Sequence, residues 1–257
     1  MEESLSIAVV PNRRLHIGWI YGGLIHPRQT FSQIVAQGRS VWLTPILLLM
    51  LTTVAKVMVS GWIRQGIMLS TGPLLPPDFQ YYSPEQQAQF MQAAQTTSGP
   101  VFIYIFPLIA ALSGIWIGWI LVSGLLHLLT TLSGGRGEMS LTLNIVAWAS
   151  LPFAVRDIVR AVSMLASRQL IEHPGLSGFA PTGELTTYLA VFASLLDIYL
   201  IWHIILLVIG VRTGMGVSMP KAIITVVLTI GTVIGLQALL SHLVTRLGSL
   251  TIIRPFF

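Results

Sequence analysis

Polar positions are sparse along this chain and fall in bands, with long apolar stretches between them. A helix that crosses a bilayer needs about 20 mostly apolar residues. Five stretches meet that length: Val41–Ser60, Val101–Leu132, Leu141–Leu165, Leu185–Val211 and Pro220–Val244. The second is overlong for a perpendicular helix and is expected to tilt or protrude. The third carries Arg156, Asp157 and Arg160, yet the run LTLNIVAWASLPFAV ahead of them favours a span over an interfacial helix. Two shorter patterns lie between the spans. From Pro27 to Gln37, Phe31, Ile34 and Val35 stand at helical spacing with Arg28, Gln33 and Gln37 elsewhere. That predicts an amphipathic helix lying on the inner membrane surface. After the first span comes SPEQQAQFMQAAQ, in which Ser83 suits an N-cap, Pro84 the first helical position and Gln86 the capping box. It predicts a short outer-loop helix, made amphipathic by Phe79, Tyr81, Tyr82, Phe90 and Met91. Such a helix rests on lipid headgroups or offers a docking surface to an external partner.

The expected fold class is therefore all-α: a polytopic membrane protein with about five transmembrane helices, an amphipathic inner lead-in helix and a short helix in the first outer loop. Residues 1–40 read as a cytoplasmic lead-in, 41–244 as the transmembrane domain with an external loop over 63–100, and 245–257 as a short external tail. There is no internal repeat of about 20–50 residues. Nor do the spans divide into the two inverted halves common in secondary transporters.

Composition sharpens this picture. Of 257 residues, 54% are hydrophobic and only 9% charged, against roughly 25% charged in an ordinary soluble domain. A soluble enzyme is excluded, and the mean hydropathy of +0.79 points the same way. The absence of cysteine excludes disulfides, thiolate metal sites, iron–sulfur clusters and a cysteine nucleophile. The net charge of +5 reads as membrane orientation rather than nucleic-acid binding. With the N-terminus inside, the inner face holds Arg13, Arg14, Arg28, Arg39, Arg136, Arg212 and Lys221, and the outer face only Arg64, Arg168, Arg246 and Arg254. This asymmetry predicts a multi-pass cell-membrane protein with its N-terminus in the cytoplasm and its C-terminus outside. The opening MEESLSIAVVPNRRLHIGW lacks the basic start, compact apolar run and cleavage site of a signal peptide, so the first span is expected to be retained.

Small residues four apart let membrane helices approach closely. Ala110, Gly114 and Gly118 stand in that register in the second span, and Gly231 and Gly235 in the fifth. Internal packing is their expected use, with contact to a second copy as the alternative. Pro152 lies inside the third span, where it removes one helical hydrogen bond, so a kink near residues 148–152 is expected. Ionisable groups inside a bilayer need partners. Asp197 lies mid-span, and Arg156 sits on a helix running the opposite way. The expectation is an intramembrane Arg156–Asp197 ion pair, with Arg160 as the alternative partner. Lys56 is expected to snorkel to the interface. His26, His127 and His203 share the inner side, but no carboxylate is spaced to complete a metal site with them and no metalloprotease motif is present. No metal, cofactor or catalytic residue is assigned, and Asp157 beside two arginines reads as paired rather than as a general base. Asn144 and Trp148 line a cavity or pack. The glycine turns SGGRGE and GVRTGMGVS make tight interhelical turns or approach an anion.

Three stretches carry a family likeness: HPRQTFSQIVAQGRSVWLTPILLL, GEMSLTLNIVAWASLPFAVRDIVRAV and LLDIYLIWHIILLVIGVRTGMGVSMPKAIITVV. In order and character they resemble the Yip family of integral membrane proteins, from about Ile25 to Gln237. The resemblance implies a five-span fold with a cytoplasmic N-terminus and no catalytic centre. Eukaryotic members bind Rab-type GTPases and have long N-terminal cytosolic regions with acidic and aromatic motifs. Nothing here matches those motifs, so Rab binding is not carried over. The chain is more similar to compact prokaryotic members, some of which are associated with export systems, ABC exporters among them. The expected function is a non-enzymatic membrane scaffold or accessory subunit of another membrane complex. Its expected partners are membrane lipids, a membrane protein or a second copy, and not nucleic acid. The alternative is a small-molecule or lipid transporter working through the Arg156–Asp197 region.

Overall fold

The computed structural model describes residues 15–72, 75–171, 174–177 and 186–252, and among them there are helices and no strands. In chain order the α-helices are α1 (Gly18–Ile25), α2 (Pro27–Gln37), α3 (Leu43–Thr71), α4 (Pro84–Thr97) and α5 (Phe106–Leu132). Then come α6 (Met139–Ala149), α7 (Leu151–Ser167), α8 (Thr186–Leu195), α9 (Ile198–Met215) and α10 (Met219–Ile252). Among the described residues, four helical segments are long and apolar enough to cross a membrane: Leu43–Ser70, Val101–Leu132, Ile198–Met215 and Met219–Leu243. The α6–α7 pair stands where the third span was expected, making about five crossings.

Both central spans are broken rather than continuous. Ser150 separates α6 from α7, and Pro152 sits in the first turn of α7, where its missing N–H costs nothing. The expected kink is thus a full break between two helices. The fourth span, expected to run unbroken from Leu185, is interrupted at Leu196 and Asp197, and Leu185 itself lies outside the described residues. Asp197 is extended at φ −139° and ψ 172°, and its carboxylate accepts the Leu200 N–H at 2.9 Å. An aspartate cannot rest on an apolar helix face without a partner, but as an N-cap it answers the free amides of a new helix.

The ends of other elements also differ from the sequence expectations. Helix α3 runs past Ser60 to Thr71, so residues 63–71 of the expected external loop are helical. A π turn over Val101–Ile105 leads into α5, because Pro107 cannot donate to the turn before it. Helix α4 carries the capping box: Gln86 N–H donates to Ser83 Oγ at 3.3 Å and Ser83 N–H to Gln86 Oε1 at 3.1 Å. Helix α10 extends to Ile252, so the described start of the expected tail is helical. Residues 253–257 and the lead-in before Leu15, with Arg13, Arg14 and Arg254, lie outside the described residues.

The lead-in helix was expected on the membrane surface, and that expectation is corrected. Phe31 and Ile34 are each 1% exposed, and α2 packs along α9 and against α6. Its apolar face is met by protein because α9 presents Gly210 and Gly214 there. A Cβ on Gly210 would stand 2.6 Å from Ile145 and 3.1 Å from Phe31. The sequence GVRTG is therefore helix, and the turn is confined to Gly216–Ser218, with Gly216 left-handed at φ 66°.

The linker into α3 is held by α6. Asn144 Oδ1 accepts the Val41 N–H and its Nδ2 donates to Arg39 O, both at 2.9 Å. Trp148 Nε1 donates to Val41 O at 3.0 Å. Both residues pin backbone; Trp148 packs at 1% exposure, and Asn144 also borders a cavity of about 250 Å³. Replacing Asn144 with leucine should cost about 1–3 kcal/mol for each backbone group it strands. Thermal unfolding in detergent measures this, and an unchanged midpoint would refute the pinning role.

Packing is uneven along α5. Trp119, Val122, Leu126 and Thr130 in its second half are buried, while no residue from Phe106 to Gly118 is. Ala110 and Gly114 are exposed, and among the described residues nothing lies within 4 Å of a Cβ placed at Gly114, Gly118, Gly231 or Gly235. Among the described residues no neighbouring helix closes on these glycines. Gly135 and Gly137 do approach closely, against Val217 and Met215, so SGGRGE is a tight interhelical turn.

Candidate functional site

Charged side chains gather where the two broken spans lie side by side. Asp197, at the head of α9, receives two arginines from α7: Arg156 Nη1 stands 3.4 Å and Arg160 Nη2 3.2 Å from Asp197 Oδ2. The two partners foreseen as alternatives are present together. Residues 156 and 160 share one face of α7 at i and i+4, and α7 packs against α9. The Arg156 guanidinium also lies over the Phe153 ring at 4.7 Å, and that ring stacks near His203 at a centroid distance of 4.7 Å.

A second carboxylate site lies beside the first. Asp157 is 2% exposed. Thr53 Oγ1 donates to its Oδ2 at 2.7 Å, and Lys56 Nζ lies 2.8 Å from its Oδ1. Lys56 therefore does not snorkel; its ammonium crosses from α3 to α7, the helix α3 packs along. Arg156 Nε is farther from Asp157 Oδ1, at 3.9 Å. Sequence reading missed this pair. Its signal was available in the charge balance of the spans, which holds three cations and two carboxylates and leaves Asp157 needing a cation of its own.

His203 answers the break in the α6–α7 span. Its Nδ1 lies 2.7 Å from Ala149 O, a carbonyl released where α6 stops. A carbonyl only accepts, so Nδ1 carries a proton and donates it to Ala149 O. His127 Nδ1 instead lies 3.1 Å from Thr142 Oγ1. Among the described residues no three histidine or acidic side chains converge as a metal site.

A cavity of about 360 Å³ opens onto this network. Thr53, Lys56, Ser150, Arg156, Asp157 and His203 line one part of it, and Leu49, Trp119, Val122, Leu200, Ile230 and Ile234 another. Gly114 and Gly118 form its wall on α5, which explains the open space at their Cβ positions. Chemically, the arrangement offers fixed positive groups and hydrogen-bond donors at the end of an apolar cleft. Both carboxylates are engaged by cations.

Comparison with known proteins follows the same outline. A family model described as the Yip1 domain matches residues 21–241. No curated protein and no solved structure matches the chain.

Proposed function

The chain belongs to the Yip1 domain family and is an integral membrane protein, and from that premise we propose that it is a non-enzymatic scaffold or accessory subunit associating with another membrane complex. The observation supporting this reading is the face of α10 that carries Gly231 and Gly235. Among the described residues nothing lies within 4 Å of a Cβ on either residue. Lipid tails fill such a face without needing small residues, whereas a helix approaching closely does need them. A transmembrane helix of a partner, or of a second copy, completes the face. The resemblance to compact family members suggests an export system, such as an ABC exporter, as the partner. The orientation proposed with it is a cytoplasmic N-terminus in the cell membrane.

The test is extraction in mild detergent followed by mass spectrometry of what co-purifies. A stoichiometric partner is expected, lost in Gly231→Leu and Gly235→Leu variants whose own yield and melting are unchanged. A partner retained by both variants, or a wild-type chain emerging alone as a monomer, would overturn the docking face. The cavity reaching Arg156 favours a second reading, transport of a small molecule or lipid. Transport would require water access to Arg156 from one side of the membrane, measurable by thiol labelling of cysteines introduced along α7.

A further inference from the structure

Among the described residues, the buried network combines three cations, Lys56, Arg156 and Arg160, with two carboxylates, Asp157 and Asp197. One positive charge is left over. An unbalanced charge inside a bilayer is costly, so the excess calls for an anion or a water path. Arg156 is where the excess is felt. Its Nε is buried and makes no hydrogen bond, and the nearest carboxylate oxygen, Asp157 Oδ1, is at 3.9 Å. Lys56 and Arg156 both border the cavity, and their side chains keep 26% and 24% exposure despite their depth.

The cavity's shape adds a second constraint. Its volume of about 360 Å³ lies at the small end of ligand pockets, which run from about 300 to 1,000 Å³. Gly114 and Gln237 belong to its lining and are exposed, one on α5 and the other on α10. Both stand within membrane-spanning segments, so the mouth between them faces lipid rather than either aqueous side. An occupant reaching the arginine by this route passes an apolar wall before meeting the positive end. Free inorganic anions do not dissolve in that medium; amphiphiles do.

We propose that this cavity is a binding site for an anionic membrane lipid, its charged headgroup at Arg156 and Lys56 and one chain leaving between α5 and α10. This site rests neither on the docking face of α10 nor on any transport cycle, since Gly231 and Gly235 do not border the cavity. The headgroup supplies the missing negative charge, and the absence of side chains at Gly114 and Gly118 gives the chain its passage.

Native mass spectrometry of the purified full chain tests this, with phosphatidylglycerol and phosphatidylcholine of matched chains added in turn. One phosphatidylglycerol per chain should be retained roughly tenfold better than phosphatidylcholine, the discrimination expected from compensating one buried charge. Gly114→Leu fills the cavity without touching the charges, and it should abolish that preference. Arg156→Gln should weaken it. Equal retention of the two lipids by the wild-type chain overturns the proposal whatever the variants do. Retention unchanged in a folded Gly114→Leu variant also overturns it, because the lipid is then bound elsewhere on the surface.

Discussion

Replacing Asp197 with leucine is expected to cost about 3–5 kcal/mol, the penalty for stranding a buried ionic partner. Two arginines lose the acceptor they share, since both contact Asp197 Oδ2. The same change removes the N-cap of α9, worth about 1 kcal/mol more. Asp197→Asn separates the two contributions, because its amide oxygen still accepts from Leu200 N–H while the charge is gone. A simple pair would be repaired by removing Arg156 as well. In the observed triad Arg160 remains stranded, so Asp197→Leu with Arg156→Leu should recover only part of the loss. Adding Arg160→Leu should recover more. Melting midpoints and the monodisperse fraction in detergent report this, and a triple variant no better than the single one would refute the triad.

Asp157→Leu should be the next most damaging change, for a related reason with a different remedy. It strands Lys56 and leaves the Thr53 hydroxyl without its acceptor. A charged side chain at mid-membrane costs about 2.5–3.5 kcal/mol on insertion scales, and less where a long chain snorkels. One cation loses its carboxylate here, against two at Asp197, so the expected loss is about 2–4 kcal/mol. Asp157→Asn should fall between, since it keeps an acceptor for Thr53. Melting in detergent measures the order, and a midpoint equal to wild type would contradict it.

What was legible in the sequence followed from local rules. Ser83, Pro84 and Gln86 announced the start of α4 because a capping box is written within four positions. Pro152 announced the break before α7 because its missing N–H acts on its own turn. Arg156, Arg160 and Asp197 could be matched because side chains on antiparallel helices lean toward their own N-termini and so toward one another. What was not legible depended on which surfaces meet. Hydropathy reads LLDIYLIW as one apolar run, and only the arginines on α7 make a break at Asp197 worthwhile. The periodicity of Phe31 and Ile34 fits a lipid surface or a protein one equally, and Gly210 and Gly214 on α9 decide it. Lys56 near a span end suits snorkelling until α3 is known to lie along α7. The small-residue register at Gly114 and Gly118 marks close approach, yet it cannot distinguish a neighbouring helix from a cavity.

The claim on which the account turns is that charges at the broken spans bind α3, α7 and α9 to one another. A double-mutant cycle across α3 and α7 tests it most directly, comparing Lys56→Met, Asp157→Leu and the double variant by thermal unfolding in mild detergent. The account predicts a double variant more stable than Asp157→Leu alone, with a coupling of at least about 1–2 kcal/mol. Additive losses from the two substitutions would show that Lys56 and Asp157 do not hold these helices together.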